Sequence, residues 1–483
     1  MVCSQKVQKW TAFSLFGTFF VIGLWLVLFW ADVFNSYLRK QLILGPDTYQ
    51  YEYWKETPFD INTEIYLFNW TNKDEVGDRN FKPHFQQLGP YVLAERHTRA
   101  NVVFNDNKTV SFNSIRNWHF LPEKSSGSLD DVVTIMDPIV LAMANVAKDE
   151  HYIIRRALHY FLVEYKKTLD ETKTAQVLLF DGIKDPIIDL SSRLKLKKFK
   201  IPYDKFGFFY NRNGSVYYDG NFTMWTGESD VQKTGIVTEW NGANHTKAYD
   251  GDCGDIDGTT GDVWYPVKDS SSISIFVPDV CSLLTLERQG SKSGNGIEGN
   301  LYVATDKLLD NGKKYPETAC FSPREVLPSG VRDISSCQYD APAFISLPHF
   351  YMADDSYRKA VTGMNPDPEK HKIELIIEPK YGLPVEASVA FQVNFKLNPV
   401  KEISLFDKLQ EVMVPYLWIK VAIVIPDNYA FLIKAALSAA AIGQWIGYSL
   451  IFISLILFLF GVYLELQMRN IPVFGRFQKI SFS

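Results

Sequence analysis

The chain has 483 residues, a formal net charge of −5, and 46% hydrophobic and 14% aromatic residues. That apolar content excludes wholesale disorder. The near balance of 50 basic and 55 acidic residues argues against a nucleic-acid partner, and five cysteines are too few for a small cystine scaffold.

The greasiest segments lie at the two ends. Residues 11–30 contain no charged side chain. As a helix this run is about 30 Å long, the thickness of a bilayer's hydrocarbon layer. It is longer than a signal-peptide core, and no small-x-small site follows at Ala31, Asp32, Val33 and Phe34. It therefore reads as an uncleaved anchor. A second run, 439–464, stays uncharged until Glu465. Lys6 and Lys9 precede the first run; Arg469, Arg476 and Lys479 follow the second. Basic flanks on both tails place both termini in the cytoplasm. The expected order is a cytoplasmic tail (1–10), a membrane helix (11–30), an exterior domain (31–438), a second membrane helix (439–464) and a cytoplasmic tail (465–483).

Between the spans, N-x-S/T sequons begin at Asn69, Asn107, Asn213, Asn221 and Asn244, as suits an exterior domain. Cys253, Cys281, Cys320 and Cys337 also fall there, where two disulfides are expected. Spacing does not choose among the three pairings. Cys3 lies near the membrane face, a palmitoylation candidate with an unmodified thiol as the alternative.

Strand patterns dominate the exterior. Segments 64–70 and 91–97 read as strands, and 102–104 and 109–112 flank an Asn-Asp-Asn-Lys turn. Segments 273–277, 301–305, 374–378 and 387–397 continue the series. In the last, Val389, Phe391, Val393 and Phe395 alternate with Ala390, Gln392, Asn394 and Lys396, which predicts one apolar face. Residues 128–180 are the helical exception. Val132, Val133, Ile135, Met136, Ile139, Val140 and Met143 recur at helical spacing, with Pro138 as a kink. A second helix carries Ile153, Ile154, Ala157, Leu158, Phe161 and Leu162 on one face, with Arg155, Arg156, His159, Lys166 and Lys167 elsewhere. That basic side is either an ordinary solvated face or a recognition surface for anionic or headgroup ligands. Residues 284–300 contain a Gly/Ser/Lys-rich loop.

Catalytic and metal patterns fail on inspection. Residues 294–299 fit G-x-G-x-x-G, but a strand-like segment follows where a nucleotide site needs a helix, so a glycine-rich turn is expected. The Asp255-x-Asp257-Gly258 stretch resembles part of a calcium loop. Its first and twelfth ligand positions would be Cys253 and Trp264, and neither suits calcium. The histidines lack metal-ligand spacing. No cofactor, no metal and no enzyme activity are expected.

A longer series of motifs is more specific. It comprises IYLFNWTN at 65–72, LGPYV at 88–92, KFGFFYNRN at 205–213, DGNFTMWTG at 219–227, EWNG at 239–242, CGDIDGTTGD at 253–262, PHFYMAD at 348–354, GMNPDPEKH at 363–371 and VPYLW at 414–418. In this order they resemble the class B scavenger receptor family, which includes fatty-acid translocase, the high-density-lipoprotein receptor, lysosomal integral membrane protein type two and croquemort. The wording is nearer the insect members.

The resemblance covers nearly the whole chain and implies an α+β exterior domain. That domain would be an irregular antiparallel β-barrel with a hydrophobic tunnel and a helical bundle at a membrane-distal apex. Ligands would dock at the apex and lipid would move along the tunnel to the membrane. It also implies the crossed pairing Cys253–Cys320 and Cys281–Cys337. A third bridge of many members would begin at Ser322 and is missing here. By position, 148–174 corresponds to the apex. Lys148, Arg155, Arg156, Lys166 and Lys167 are the regional candidates for headgroup or partner contacts.

The expected function is a cell-surface receptor that binds lipids, lipoproteins or lipid-carrying proteins and transfers fatty acid, sterol, carotenoid or phospholipid. The alternatives are a phagocytic receptor for apoptotic cells or microbes and a pheromone co-receptor of sensory neurons. The plasma membrane is the expected location, with endosome or lysosome as the alternative. Self-association is left open.

Overall fold

The computed structural model describes residues 2–77, 81–189 and 203–469. The Cys3 side chain, Arg476 and Lys479 lie outside the described residues. The chain divides into two compact units, Met1–Leu42 with Asp427–Ser483, and Ile43–Pro426.

The first unit is a pair of helices long and apolar enough to cross a membrane, α1 (Val2–Gln41) and the C-terminal helix Asp427–Met468. The expected spans 11–30 and 439–464 lie inside them. The two run antiparallel. Lys9 pairs with Glu465 at 2.6 Å at one end, and the Trp30 indole donates to the Ala439 carbonyl at 2.9 Å toward the other. Glycines allow the approach. A Cβ on Gly23 would lie 2.8 Å from the Gly447 carbonyl oxygen, and the reverse holds for Gly447. Phe13 and Phe16 pack on Phe458. Val21, Trp445, Phe452 and Leu459 point outward. An apolar exterior without a core of its own suits hydrocarbon as the solvent.

The second unit is built on strands β1 (Ile61–Trp70), β2 (Phe85–Phe104), β3 (Thr109–Phe120), β4 (Val132–Met136), β5 (Asp170–Thr174), β6 (Asn221–Trp225), β7 (Val237–Trp240), β8 (Ser272–Val277), β9 (Ser282–Gly294), β10 (Ile297–Val303), β11 (Val331–Asp333), β12 (Ala343–Ser346), β13 (Glu374–Glu378), β14 (Leu383–Leu397) and β15 (Val412–Val424). Among the described residues, thirteen of these form one antiparallel sheet. Its order is β7-β6-β3-β2-β1-β15-β14-β13-β10-β9-β8, with β12 and β11 branching from β14. The strands β4 and β5 pair separately. Helix α2 (Tyr49–Lys55) precedes β1, and α3 (Pro138–Lys148) and α4 (Tyr152–Glu164) lie between β4 and β5.

The sheet curls until its two edges nearly meet. Gly258 and Thr259 stitch them: Val237 N–H donates to Gly258 O at 2.9 Å, Thr259 N–H to Ser274 O at 3.0 Å, and Phe276 N–H to Thr259 O at 2.8 Å. Only glycine fits at 258, because a Cβ there would lie 2.8 Å from Ser274 O and 3.0 Å from Phe276 N. The result is a nearly closed, irregular barrel.

Four local expectations change. Residues 132–143 are not one kinked helix. β4 ends at Met136, the Asp137 carboxylate caps α3 by accepting from Ile139 N–H and Val140 N–H, and Pro138 takes the first helical position, where its missing N–H costs nothing. The Gly/Ser/Lys-rich stretch of 284–300 is the β9–β10 hairpin instead of a loop. Its two-residue turn is Asn295-Gly296, both at positive φ, as a type I′ turn requires. In β14 the polar set is the buried one: Ala390, Gln392 and Asn394 are fully covered while Val389, Phe391 and Val393 are half-buried. Gln392 and Asn394 hydrogen-bond each other, Ser346 and the His349 backbone, so their burial is satisfied. The fourth change, in α4, bears on the site.

Candidate functional site

α3 and α4 carry the residues read as the ligand-binding apex. α3 is largely buried, through Ile139, Val140, Leu141 and Met143 among others. α4 is not: only Leu158 and Leu162 are buried, and Phe161 is half-covered. Ile153 (68% exposed), Tyr160 (60%) and Val163 (58%) face solvent, as do Tyr152, Ile154, Ala157 and Tyr165. The expected burial of Ile153, Ile154 and Ala157 is therefore reversed. The cause is electrostatic as well as hydrophobic. Arg155 pairs with Glu402 at 2.6 Å and donates to Glu150 O at 2.7 Å, and His159 Nδ1 accepts from Ser404 N–H at 3.4 Å. These contacts turn part of the polar side inward.

The five candidate cations separate accordingly. Arg155 is held by Glu402, and Lys167 is held by Asp185 and by Asp137. Neither is a free headgroup contact. Burial lifts Asp137 to about 6, with Lys167 opposing. Arg156 lies 5.2 Å over the Tyr160 ring, Lys166 is exposed, and Lys148 is half-buried at the end of α3. The outward face of α4 is thus an aliphatic and aromatic surface bordered by Arg156 and Lys166.

A second constellation lies within the barrel. Along β2, Glu95, His97 and Arg99 alternate onto one face, opposite Trp118, Arg116 and Ser114 of β3. That face points inward, because its charges reach across to the segment around β8. Arg99 pairs with Asp262 at 2.5 Å, and Arg116 pairs with Asp219 at 2.6 Å and Asp279 at 3.3 Å. Arg212 joins Asp279 at 2.5 Å and Asp219 at 3.6 Å. His97 sits between Glu95 at 2.8 Å and Asp262 at 3.5 Å. At Glu95, His97 and Asp262 burial opposes charge, but the pairing prevails. Hydrogen bonds to Asp262 and Glu95 raise His97 to about 9, His97 in turn holds Glu95 at about 2, and Arg99 holds Asp262 well below the usual carboxylate range.

A cavity of about 180 Å³ opens beside this cluster. Its polar wall is His97, Arg99, Ser114, Arg116, Asp219, Thr260, Asp262 and Asp279; Phe112, Phe222, Ile275, Phe276, Val277 and Pro278 form the apolar wall. Register continues the inward face from Thr63 to Val421 and Val389. The half-buried side of β14 therefore shares the barrel interior with the charges. Sequence reasoning missed this cluster. The available signal was charge at every second position of β2, but Arg96 and Thr98 make the other face polar too, so alternation did not reveal which face turns inward.

The covalent features complete the surface. Cys253 is bonded to Cys320 and Cys281 to Cys337, across separations of 67 and 56 residues. Loops of that length stabilise by about 4 kcal/mol each in the chain-entropy account. Ser322 has a buried hydroxyl with no hydrogen-bond partner among the described residues. Asn107, Asn213, Asn221 and Asn244 are exposed and Asn69 is half-buried. The Asn213 amide is also a structural clip, accepting from Trp118 N–H at 2.9 Å and donating to Trp118 O at 3.1 Å.

Comparison with known proteins identifies the chain's relatives. The family model for the CD36 family matches residues 13–464. The chain belongs to the CD36 family. Protein peste of Drosophila melanogaster is 33% identical over 413 residues, covering 84% of this chain and 74% of that protein. Scavenger receptor class B member 1 of Rattus norvegicus is 32% identical over 400 residues, covering 82% and 77%. Lysosome membrane protein 2 of Homo sapiens is 27% identical over 413 residues, covering 84% and 83%. The class B scavenger receptor resemblance is thereby established, and the family match spans most of both terminal helices and the whole sheet between them.

Proposed function

We propose that this CD36-family chain is a lipid receptor of the cell surface. It captures lipid-bearing particles on the outward face of α4 and passes their lipid through the barrel interior to the bilayer that holds its terminal helices. The observation that carries the reading is the exposed apolar face of α4, Ile153, Tyr160 and Val163 above all. An apolar surface of this kind on a folded, solvated unit marks an interaction site. Arg156 and Lys166 beside it supply attraction for acidic partners or phosphate headgroups. The driving force for uptake is transfer of apolar cargo from water, about 25 cal/mol per Å². Within the barrel, the half-buried face of Val389, Phe391 and Val393 offers apolar wall. No bond is made or broken in this mechanism.

The test is lipoprotein binding to cells that display equal amounts of wild-type protein and the triple variant Ile153→Ser/Tyr160→Ser/Val163→Ser. Each buried apolar side chain is worth about 1.5–3 kcal/mol, so binding should fall at least tenfold. Unchanged binding would overturn the reading.

A further inference from the structure

The paired terminal helices carry their own level marks. Lys9 and Glu465 join them at one end, and the Trp30 indole meets the Ala439 carbonyl toward the other. On α1 the uncharged run closes at Ala31, one residue past that second mark, and Asp32, Arg39 and Lys40 follow. Tryptophan favours the membrane–water interface, so the outer edge of the hydrocarbon lies near Trp30 and Ala439. Both helices continue outside it, α1 to Gln41 and the C-terminal helix back to Asp427. Phe431 stands eight residues beyond Ala439, about 12 Å along the axis. The interfacial layer of one leaflet is about 5–8 Å deep. Phe431 and its neighbour Leu432 therefore stand clear of the hydrocarbon, yet they are 70% and 56% exposed.

These two side chains continue a longer feature. Phe431, Ala435, Ser438, Ile442, Trp445 and Phe452 are all exposed, and at helical spacing they fall within an arc of about 100°. Ile442, Trp445 and Phe452 are the members inside the hydrocarbon, where lipid chains cover them. The same side of the helix then runs outward past the bilayer edge, broken only by the small Ser438 hydroxyl. Its outer end follows the sheet closely in the chain. β15, which carries Val421 of the inward barrel face, stops at Val424, and only Ile425 and Pro426 separate it from the helix.

We infer that this side of the C-terminal helix is a track for lipid in transit. The hydrocarbon portion of a lipid leaving the exterior unit lies along Phe431 and Leu432, then passes Ala435, Ser438 and Ile442 into the outer leaflet. The inference rests on the lipid-transfer reading above and adds the last step and the residues that perform it. The occupant follows from continuity: the inner part of the side is already solvated by hydrocarbon, and the outer part offers the same chemistry. A chain on the track exchanges one apolar surface for another instead of crossing water and headgroups bare, which lowers the cost of that step.

The experiment uses cells displaying equal amounts of full-length wild type and variants. They are given lipoprotein with a tritiated sterol ester in its core and radioiodine on its protein. Wild type should take up the ester in excess of the protein. Phe431→Ser/Leu432→Ser should bind particles normally but lose that excess by roughly threefold or more, since two apolar contacts are removed. The swap Phe431→Leu/Leu432→Phe, which keeps the surface apolar, should retain it. Val33→Ser/Tyr37→Ser alters exposed side chains on the outer part of α1 and should leave it unchanged. Normal transfer by the serine variant of the C-terminal helix would overturn the inference and leave lipid transfer standing. So would an equal loss in the α1 variant, which would mark a general membrane anchor, or in the apolar swap, which would mark a shape-specific protein contact. No excess of ester in wild type would contradict the lipid-transfer reading itself, and the inference with it.

Discussion

Acidification from pH 7 to pH 5 should weaken the exterior unit through two buried histidines. The His349 and His371 rings stack with centroids 4.8 Å apart and planes 18° from parallel. Each Nδ1 accepts a backbone N–H, from Asn365 at 3.1 Å for His349 and from Asp367 at 2.9 Å for His371. Those bonds require the neutral ring. Nε2 of His349 then donates to Gln87 Oε1 at 2.7 Å, which also accepts from the Trp418 indole at 2.8 Å. Burial lowers both rings to about 4, against roughly 6.5 when unfolded. The unfolded chain therefore takes up these protons first. The neutral rings' contribution is complete above about pH 6.5 and lost as pH falls toward 4. At pH 5 this amounts to about 2 kcal/mol per ring. Asp137 works in the opposite sense. Raised by burial to about 6, it is protonated first in the folded state and returns about 1 kcal/mol over the same range. The double variant His349→Gln/His371→Asn isolates the histidine term. Thermal unfolding of the full-length protein, measured from pH 7.5 to 4.5, should show wild type losing several degrees more than the variant on acidification. Parallel curves would refute the reasoning.

Other outcomes follow from single contacts. Gly258→Ala places a Cβ against backbone on both sides of the barrel seam and should cost about 1–3 kcal/mol, read as a lower melting temperature; unchanged melting would mean the edges are not stitched there. Arg155→Glu should reduce particle binding by releasing α4 from Glu402, and the swap Arg155→Glu/Glu402→Arg should restore it. Failure of the swap to rescue binding would show direct contact by Arg155 instead. Asn213→Gln should cost about 1–2 kcal/mol in protein stripped of glycans, because two hydrogen bonds to Trp118 are lost. Asn107→Gln and Asn244→Gln should cost less than half as much, as checked by chemical denaturation.

The sequence made the architecture legible where hydrophobic pattern and length speak alone. The uncharged runs gave the two membrane helices. Segment 374–378 coincides with β13, and the turn at 105–108 joins β2 and β3. It misled where tertiary partners decide which face is inside. α4 has the periodicity of a buried amphipathic helix, but the Arg155–Glu402 pair and the Leu158 and Leu162 contacts fix a rotation that exposes Ile153 and Ala157. In β14, alternation was read correctly as two faces. The polar face is nonetheless the more covered one, because Gln392 and Asn394 satisfy each other and the apolar face borders the barrel interior. The charge cluster joins residues from 95 to 279 in sequence. No local motif announces a site assembled by barrel closure.

The central claim is that lipid crosses the barrel interior to reach the bilayer. Val389 and Val421 are direct cross-strand neighbours on the inward face, so Val389→Trp/Val421→Trp fills that space. The decisive measurement is cellular uptake from lipoprotein carrying one label on its protein and another on its core lipid. Wild-type cells should accumulate the lipid label well in excess of the protein label, and the double tryptophan variant should lose that excess while binding particles normally. Equal uptake of both labels by wild type, or undiminished lipid uptake in the filled variant, would contradict the account.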